Sequence, residues 1–229
     1  MVFEWSDREI AWYERAVRMT GFDDFLYEEL RPYLRPEETI CDLGCGIGYL
    51  SRCLCRHGFS VTAIDRSENA IRYLTRCAAE EGLSRLIPRM ADWTALPPEE
   101  NWDTILMCFA GQMQVDRYPF RKRLIILQNE RHQSQARPDD LQRFDREAQK
   151  QAAWQIDPAR YTWHYRHLTR EFGQPLHSPD EGMAYLEAYH YPWSREELME
   201  RLVLTGDDIF PFYLPRQKEI GMYVIERRE

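Results

Sequence analysis

One stretch constrains this chain more than any other: Thr39-Ile-Cys-Asp-Leu-Gly-Cys-Gly-Ile-Gly-Tyr-Leu50. A β-branched apolar run enters a loop with glycine at every second position, Gly44, Gly46 and Gly48, and a helical pattern follows from Tyr49 until Gly58 stops it. Strand, glycine turn and helix form the first half of a nucleotide-binding βαβ unit. Glycines serve there because the backbone turns sharply and a ligand passes where a Cβ would otherwise stand. The spacing is not that of a dinucleotide site, which needs G-x-G-x-x-G. Counting from Gly44, the sixth position is Tyr49, whose bulk would spoil helix packing and the approach of a pyrophosphate.

The second half of the unit follows. Ser60-Val61-Thr62-Ala63-Ile64 reads as a buried strand with Asp65 at its carboxyl end, where a carboxylate can accept from ribose hydroxyls. Ser67 caps a helix from Glu68 to Glu81 that Gly82 ends. A short strand, Leu86–Met90, leads to Ala91-Asp92-Trp93. Trp102–Phe109 is a fourth strand of the buried, parallel kind, and Leu124–Glu130 a fifth. Three acids, Asp42, Asp65 and Asp92, thus stand at three successive strand ends, where open α/β sheets bind ligands.

The pattern Asp42-x-Gly44-x-Gly46-x-Gly48 resembles the first motif of class I S-adenosylmethionine-dependent methyltransferases of the small-molecule type. The resemblance covers residues 36 to 130 by motif and 206 to 229 by pattern. It implies an α/β fold: a Rossmann-like, doubly wound, seven-stranded sheet, mostly parallel with an antiparallel last strand. It also implies that the glycine loop passes the amino-acid end of S-adenosyl-L-methionine, with the leading acid orienting the loop and the ammonium. Asp65 would hold the ribose, Asp92 the adenine amino group, and Trp93 would lie against the ring. The cofactor-contacting set expected is Asp42, Gly44, Cys45, Gly46, Gly48, Asp65, Arg66, Asp92, Trp93, Cys108 and Tyr13. The cofactor carries no phosphate, so acids beside the loop suit it, whereas they would repel a dinucleotide.

Around this core the organisation is less legible. Residues 1–35 read as two helices: Ser6-Asp-Arg-Glu9 is a capping box, Ile10, Tyr13 and Val17 share a face, and Phe22, Phe25, Leu26 and Leu30 resume the pattern after Gly21. In the family such leading helices form a lid, and Trp5, Trp12 and Tyr13 would then face the methionine end or else anchor the core. Residues 36–130 form the cofactor-binding core, 131–205 a substrate cap and 206–229 the closing strands, all within one methyltransferase domain. Within the cap we expect a helix over 139–156, an added strand over Tyr161–Phe172, and helices opened by Ser178 and Ser194. Ile209–Leu214 and Ile220–Glu226 resemble the sixth and seventh strands, paired as a hairpin. Aromatics of the cap, with His164, His167 and His190, are expected to close a cavity near Cys108 and Phe109.

Charge and cysteines narrow the function. A net charge of −8 and no basic block argue against nucleic acid as a partner, as does the missing Asn/Asp-Pro-Pro-aromatic signature of amino-methylating nucleic-acid enzymes. No apolar run approaches the roughly 20 residues needed to span a bilayer, and the first residues lack a signal-peptide shape, so a cytoplasmic protein without a membrane partner is expected. Six cysteines without a C-x-x-C pair read as buried thiols in a reducing compartment. No metal is expected, since Cys108-Phe109 stands where a metal-assisted site would place an acid. The expected reaction moves a methyl group to the O, N, S or C nucleophile of a small-molecule acceptor, leaving S-adenosyl-L-homocysteine. The protein would act mainly by positioning, with His164 the foremost candidate base. The alternatives are a non-catalytic S-adenosylmethionine-binding regulatory or scaffolding protein, or a protein methyltransferase; an NAD-dependent oxidoreductase is disfavoured by Tyr49 and Asp42. A monomer or homodimer is expected.

Overall fold

The structure is a computed structural model that describes residues 5–97, 100–110, 115–117, 120–130 and 156–228. Two helices lead, α1 (Asp7–Thr20) and α2 (Phe22–Leu30). Ser6 and Glu9 form the expected reciprocal cap of α1, and Gly21, at φ 60°, ends it in the left-handed conformation that L side chains avoid. The sheet follows: β1 (Thr39–Leu43), α3 (Tyr49–Arg56), β2 (Ser60–Asp65), α4 (Glu68–Glu80), β3 (Leu86–Met90), β4 (Thr104–Cys108), β5 (Arg123–Asn129), β6 (Tyr161–Glu171) and, at the end of the chain, β10 (Gln217–Arg227).

Seven strands pair in the order β3-β2-β1-β4-β5-β10-β6. Strands β1 to β5 are mutually parallel, and β10 runs antiparallel to both β5 and β6. This is the Rossmann-like, mostly parallel sheet with an antiparallel last strand that the motif implied. The order reverses between β1 and β4, and a crevice at such a switch point is where open α/β sheets take ligands. One face of the sheet carries Ile40, Leu106, Ile125, Ile220 and Val224 under α1 to α4; the other buries Leu43, Met107, Ile126, Tyr223 and Ile225 with Phe120 and Tyr161.

The sixth strand is not the one expected. Ile209–Leu214 does not enter the sheet: its last residues, β9 (Phe212–Leu214), pair with β7 (Gln174–Leu176) and β8 (Val203–Leu204) in a separate three-stranded sheet. The place belongs to Tyr161–Glu171, which pairs with all eleven residues of β10. The physical reason is length: an eleven-residue strand can satisfy every ladder group of β10, which three residues cannot. Residues 172–216, with α5 (Pro179–Ala188) and α6 (Arg195–Arg201), therefore form an excursion between two antiparallel neighbours. Its apolar core, Leu176, Tyr185, Leu186, Leu198 and Leu214, packs on Trp12 of α1. The helix expected over 139–156 lies outside the described residues, apart from Ile156.

At the amino end of the sheet, Glu38 is 4% exposed and pairs with Arg123 at 2.5 Å and Lys122 at 3.0 Å, clamping β1 to β5 across β4. Burial pushes its carboxyl pKa up, but hydrogen bonds from Arg123 and Lys122 outweigh that and leave it below the ordinary carboxylate value. A depressed acid stabilises the fold above its unfolded pKa and loses that contribution as pH falls through the folded one. Glu38→Ala should therefore cost about 3 kcal/mol in urea unfolding at pH 7, because it strips Arg123 of a buried partner. The deficit should shrink as pH falls below the carboxylate range.

Candidate functional site

Asp42 is the fourth residue of β1, and the chain turns from its neighbour Leu43 into the glycine loop. The amides of Gly44 and Cys45 both donate to the carbonyl of Ile64, at 2.8 and 3.0 Å, so the loop is tied to the end of β2. Gly44, Gly46 and Gly48 all have positive φ, between 55° and 72°. Gly44 also has no room for a side chain, since a Cβ there would collide with Ala110, just past β4. A Cβ on Gly46 would meet the ring of Trp5 at 2.8 Å, so the indole lies flush against the loop backbone. The glycines thus let Ala110 and Trp5 pack directly on the loop backbone, which is largely buried between strand end and helix.

Two carboxylates flank it. Asp65, at the end of β2, accepts from the amide of Gly46 at 2.8 Å and from that of Ser67 at 2.8 Å, one oxygen each. Asp42 is buried; its Oδ2 accepts from the Ser51 hydroxyl at 2.6 Å, while its Oδ1 has no partner. Burial raises the Asp42 pKa to about 6, against the Ser51 hydrogen bond and with added repulsion from Asp65. A buried acceptor left open marks a place where a donor belongs.

The structure brings the loop residues Gly44, Cys45, Gly46 and Gly48 together with Asp42, Asp65, Trp93 and Tyr13. The Trp93 indole approaches Gly44, and Tyr13 stacks edge-on with Trp5, centroids 5.4 Å apart, and against Tyr49 at 5.4 Å. Cys45 is buried, its thiol directed at the Gly46 carbonyl at 3.5 Å. Arg66 and Asp92 are exposed at the ends of β2 and β3. Cys108 ends β4, next to Phe109, which takes a left-handed backbone (φ 59°) rare for a non-glycine residue. Trp12 lies elsewhere: it is buried against the excursion and donates to Glu181 at 2.9 Å.

His164 is not brought to the loop. It stands exposed on β6, three strands from β4, with its ring nitrogen 3.0 Å from the Tyr33 hydroxyl. The aromatics expected to close over the strand ends divide. Tyr161, Trp163 and Tyr165 pack on the opposite face with Tyr223, whereas Tyr189, Tyr191 and Trp193 belong to the excursion, and Trp154 lies outside the described residues. A cleft of about 770 Å³ opens between α1 and α4, lined by Glu14, Arg15, Tyr73 and Arg76 among others, and neither Cys108 nor Phe109 borders it. Among the described residues, Asp24, Cys53 and His57 bring three potential metal-ligand atoms within 4.8 Å of one another. They stand at the far end of α3 from the loop.

One residue at the site escaped the sequence reading. Lys218 is 6% exposed, and its Nζ lies 3.7 Å from the ring centroid of Phe109 and 4.9 Å from those of Phe22 and Phe172. Because β10 is antiparallel and starts beyond the ends of β4 and β5, its first residues overhang the crevice. The signal was present: Lys218, Ile220, Met222 and Val224 alternate, so a period of two puts the lysine on the apolar face.

Residues 40–124 match the family model described as a methyltransferase domain. That match takes in a little over a third of the chain, and with the strand order and the glycine loop it makes this part of the chain similar to the class I methyltransferases. Over 45 residues it is 53% identical to the ubiquinone biosynthesis O-methyltransferase of Caulobacter vibrioides, covering 20% of this chain and 18% of that protein. The chain thus spans about a fifth of the length of the curated relatives it matches. The YcgJ protein from Bacillus subtilis shares the fold, with a TM-score of 0.51 at 12% identity over 91% of this chain and 99% of that one. Precorrin-6y C5,15-methyltransferase from Geobacter metallireducens does so with a TM-score of 0.50 at 9% identity, over 90% and 86%.

The double use of Asp65 gives a test. Asp65→Ala removes acceptors for two loop amides and should destabilise the fold by about 1.5–3 kcal/mol, the scale for hydrogen bonds to a charged acceptor. Asp65→Asn keeps one carbonyl acceptor and should lose about half as much. Urea titration of the three proteins reads the order directly.

Proposed function

We propose that this chain transfers a methyl group from S-adenosylmethionine to a small-molecule acceptor. The observation that carries the reading is the pair of carboxylates, Asp42 and Asp65, set against a glycine loop with no cation beside them in the loop itself. Such a loop disfavours a phosphate and favours a ligand with positive charge. The residues present fit the cofactor. The open Oδ1 of Asp42 offers an acceptor for its ammonium, Asp65 stands at the strand end where a ribose would lie, and Trp5 covers Gly46 in the place its amino-acid end would take. When bound, the cofactor supplies a methyl group already activated by the sulfonium charge.

The protein's share is then positioning and exclusion of water. Trp5, Tyr13 and Tyr49 wall the loop on the side of the leading helices, while Phe109 and Ala110 close the side of β4. A relative named for O-methylation in ubiquinone biosynthesis supports a small organic acceptor and an oxygen nucleophile. Six free cysteines suit a cytoplasmic setting, and no described helix is long and apolar enough to cross a membrane. Detection of methylated product from phenols, amines and thiols tests the transfer.

Titration of Asp42 supplies the sharper check. Its ionised form suits an ammonium and its protonated form does not, so adenosylhomocysteine should bind more tightly as pH rises through about 6. The gain should be roughly tenfold, and Asp42→Asn should flatten it, as followed by calorimetric titration at a series of pH values. In thermal melts, S-adenosylmethionine and its product should raise Tm while NAD and NADP leave it unchanged, since only a ligand of the native state stabilises it.

A further inference from the structure

The acceptor side of the crevice has the opposite electrostatic character from the loop. Lys218, Arg170 and Arg216 gather there: Lys218 and Arg170 are register partners on β10 and β6, and Arg216 lies two residues before Lys218. Among the described residues none of the three has a carboxylate in an ion pair. Arg170 donates to the carbonyl of Thr20 at 2.7 Å, and Arg216 to the hydroxyl of Tyr191 at 2.7 Å. Among the described residues, Lys218 meets the faces of Phe22, Phe109 and Phe172. A buried cation without an anion is costly, so a site built this way is completed by an anionic partner. The Cys108 thiol at the end of β4 is near enough to feel both Asp42 and Lys218, its pKa pushed up by burial and Asp42 and drawn down by Lys218. Aromatic walls meanwhile favour a flat ring over an aliphatic chain.

We propose that the methyl acceptor is an aromatic hydroxyl compound, and that Lys218 takes the proton from its oxygen. In this step the O–H bond breaks and its electron pair stays on oxygen. The proton joins the free pair of the Lys218 amine, leaving a phenolate beside an ammonium. After transfer the neutral ether no longer holds the cation, and Lys218 returns its proton to solvent. The inference rests on the methyltransferase reading above, since it names the acceptor class and the proton acceptor for that same site.

The titration of the surrounding groups agrees. Burial lowers the Lys218 pKa to about 7, with Arg216 adding to the fall and Cys108 opposing it, so the neutral amine is at hand near neutrality, as efficient general bases require. The other groups packed there do not exchange a proton in that range. Burial holds the Tyr13 hydroxyl up at about 12 and the Tyr49 hydroxyl and Cys108 thiol well above their ordinary values, and a guanidinium group stays charged. A protonated amine acceptor would be repelled by the two guanidinium groups, which argues for oxygen over nitrogen.

The test uses 4-nitrophenol, whose ionised form absorbs in the visible, titrated with the full chain in the absence of cofactor. The wild type should bind the phenolate about tenfold more tightly than the phenol, lowering the apparent pKa of the bound dye by about one unit. Lys218→Met, close in volume and apolar within a phenylalanine box, should fold with an unchanged or higher Tm and lose the shift. Lys218→Arg should keep the anion preference, because its charge remains, yet methylation of a phenol should no longer rise with pH through about 7. No detectable binding of the dye by the wild type, or the same shift in Lys218→Met, would overturn the inference. Failure here with normal adenosylhomocysteine binding sinks this inference alone. Loss of adenosylhomocysteine binding with the dye shift intact sinks the methyltransferase reading and leaves the anion site standing.

Discussion

The carboxylate of Asp65 holds the site in shape. By accepting one amide from the glycine loop and another from the cap of α4, it joins the ends of β1 and β2 to the starts of α3 and α4. A loop of alternating glycines would otherwise have many conformations, and ordering each residue costs about 1–2 kcal/mol. Two charge-assisted hydrogen bonds, together with the paired amides of Gly44 and Cys45 on Ile64, restrict it to one. Everything downstream depends on that restriction. The orientation of Asp42, the approach of Trp5 to Gly46, and the contact of Ala110 with Gly44 all presuppose a fixed loop.

A second constraint is electrostatic. Acids stand at the ends of β1 and β2 and cations on β10 and β6, and the Cys108 thiol at the end of β4 feels both Asp42 and Lys218. Water would screen such an arrangement, but aromatic side chains from α1, α2 and α3 crowd the space, and charges in a drier medium act over longer distances. Reactants of opposite sign would be held apart from solvent and drawn towards each other. Burial raises the acid Asp42 and lowers the base Lys218 towards neutrality. The same desolvation therefore acts on both poles.

The sequence made the first half of the sheet legible because its information is local. The alternation of Gly44, Gly46 and Gly48, the cap at Ser67 and the acid ending β2 each reflect chemistry between residues a few positions apart. The last strands were not legible in the same way. The pairing of β6 with β10 spans some fifty residues, and nothing within Ile209–Leu214 shows that it leaves the main sheet for β7 and β8. His164 drew notice as a histidine in a β-rich run, yet its fate was decided by the position of that run at the sheet's edge. Lys218 was passed over because a single lysine in a strand usually faces water. Only its apolar partners at every second position mark it as inward.

The excursion between β6 and β10 has a consequence for how such a protein can diversify. Its two stems are neighbouring strands of one hairpin, stapled at the base by the Phe172 amide on the Arg216 carbonyl. A segment carried in the bend of a hairpin can lengthen, shorten or be exchanged without moving the register of either strand, because loop closure grows only slowly costlier with length. The excursion hangs from that bend, whereas the glycine loop is woven into the opposite half of the sheet. Selection can therefore retool the one as an interchangeable head while the other is inherited intact.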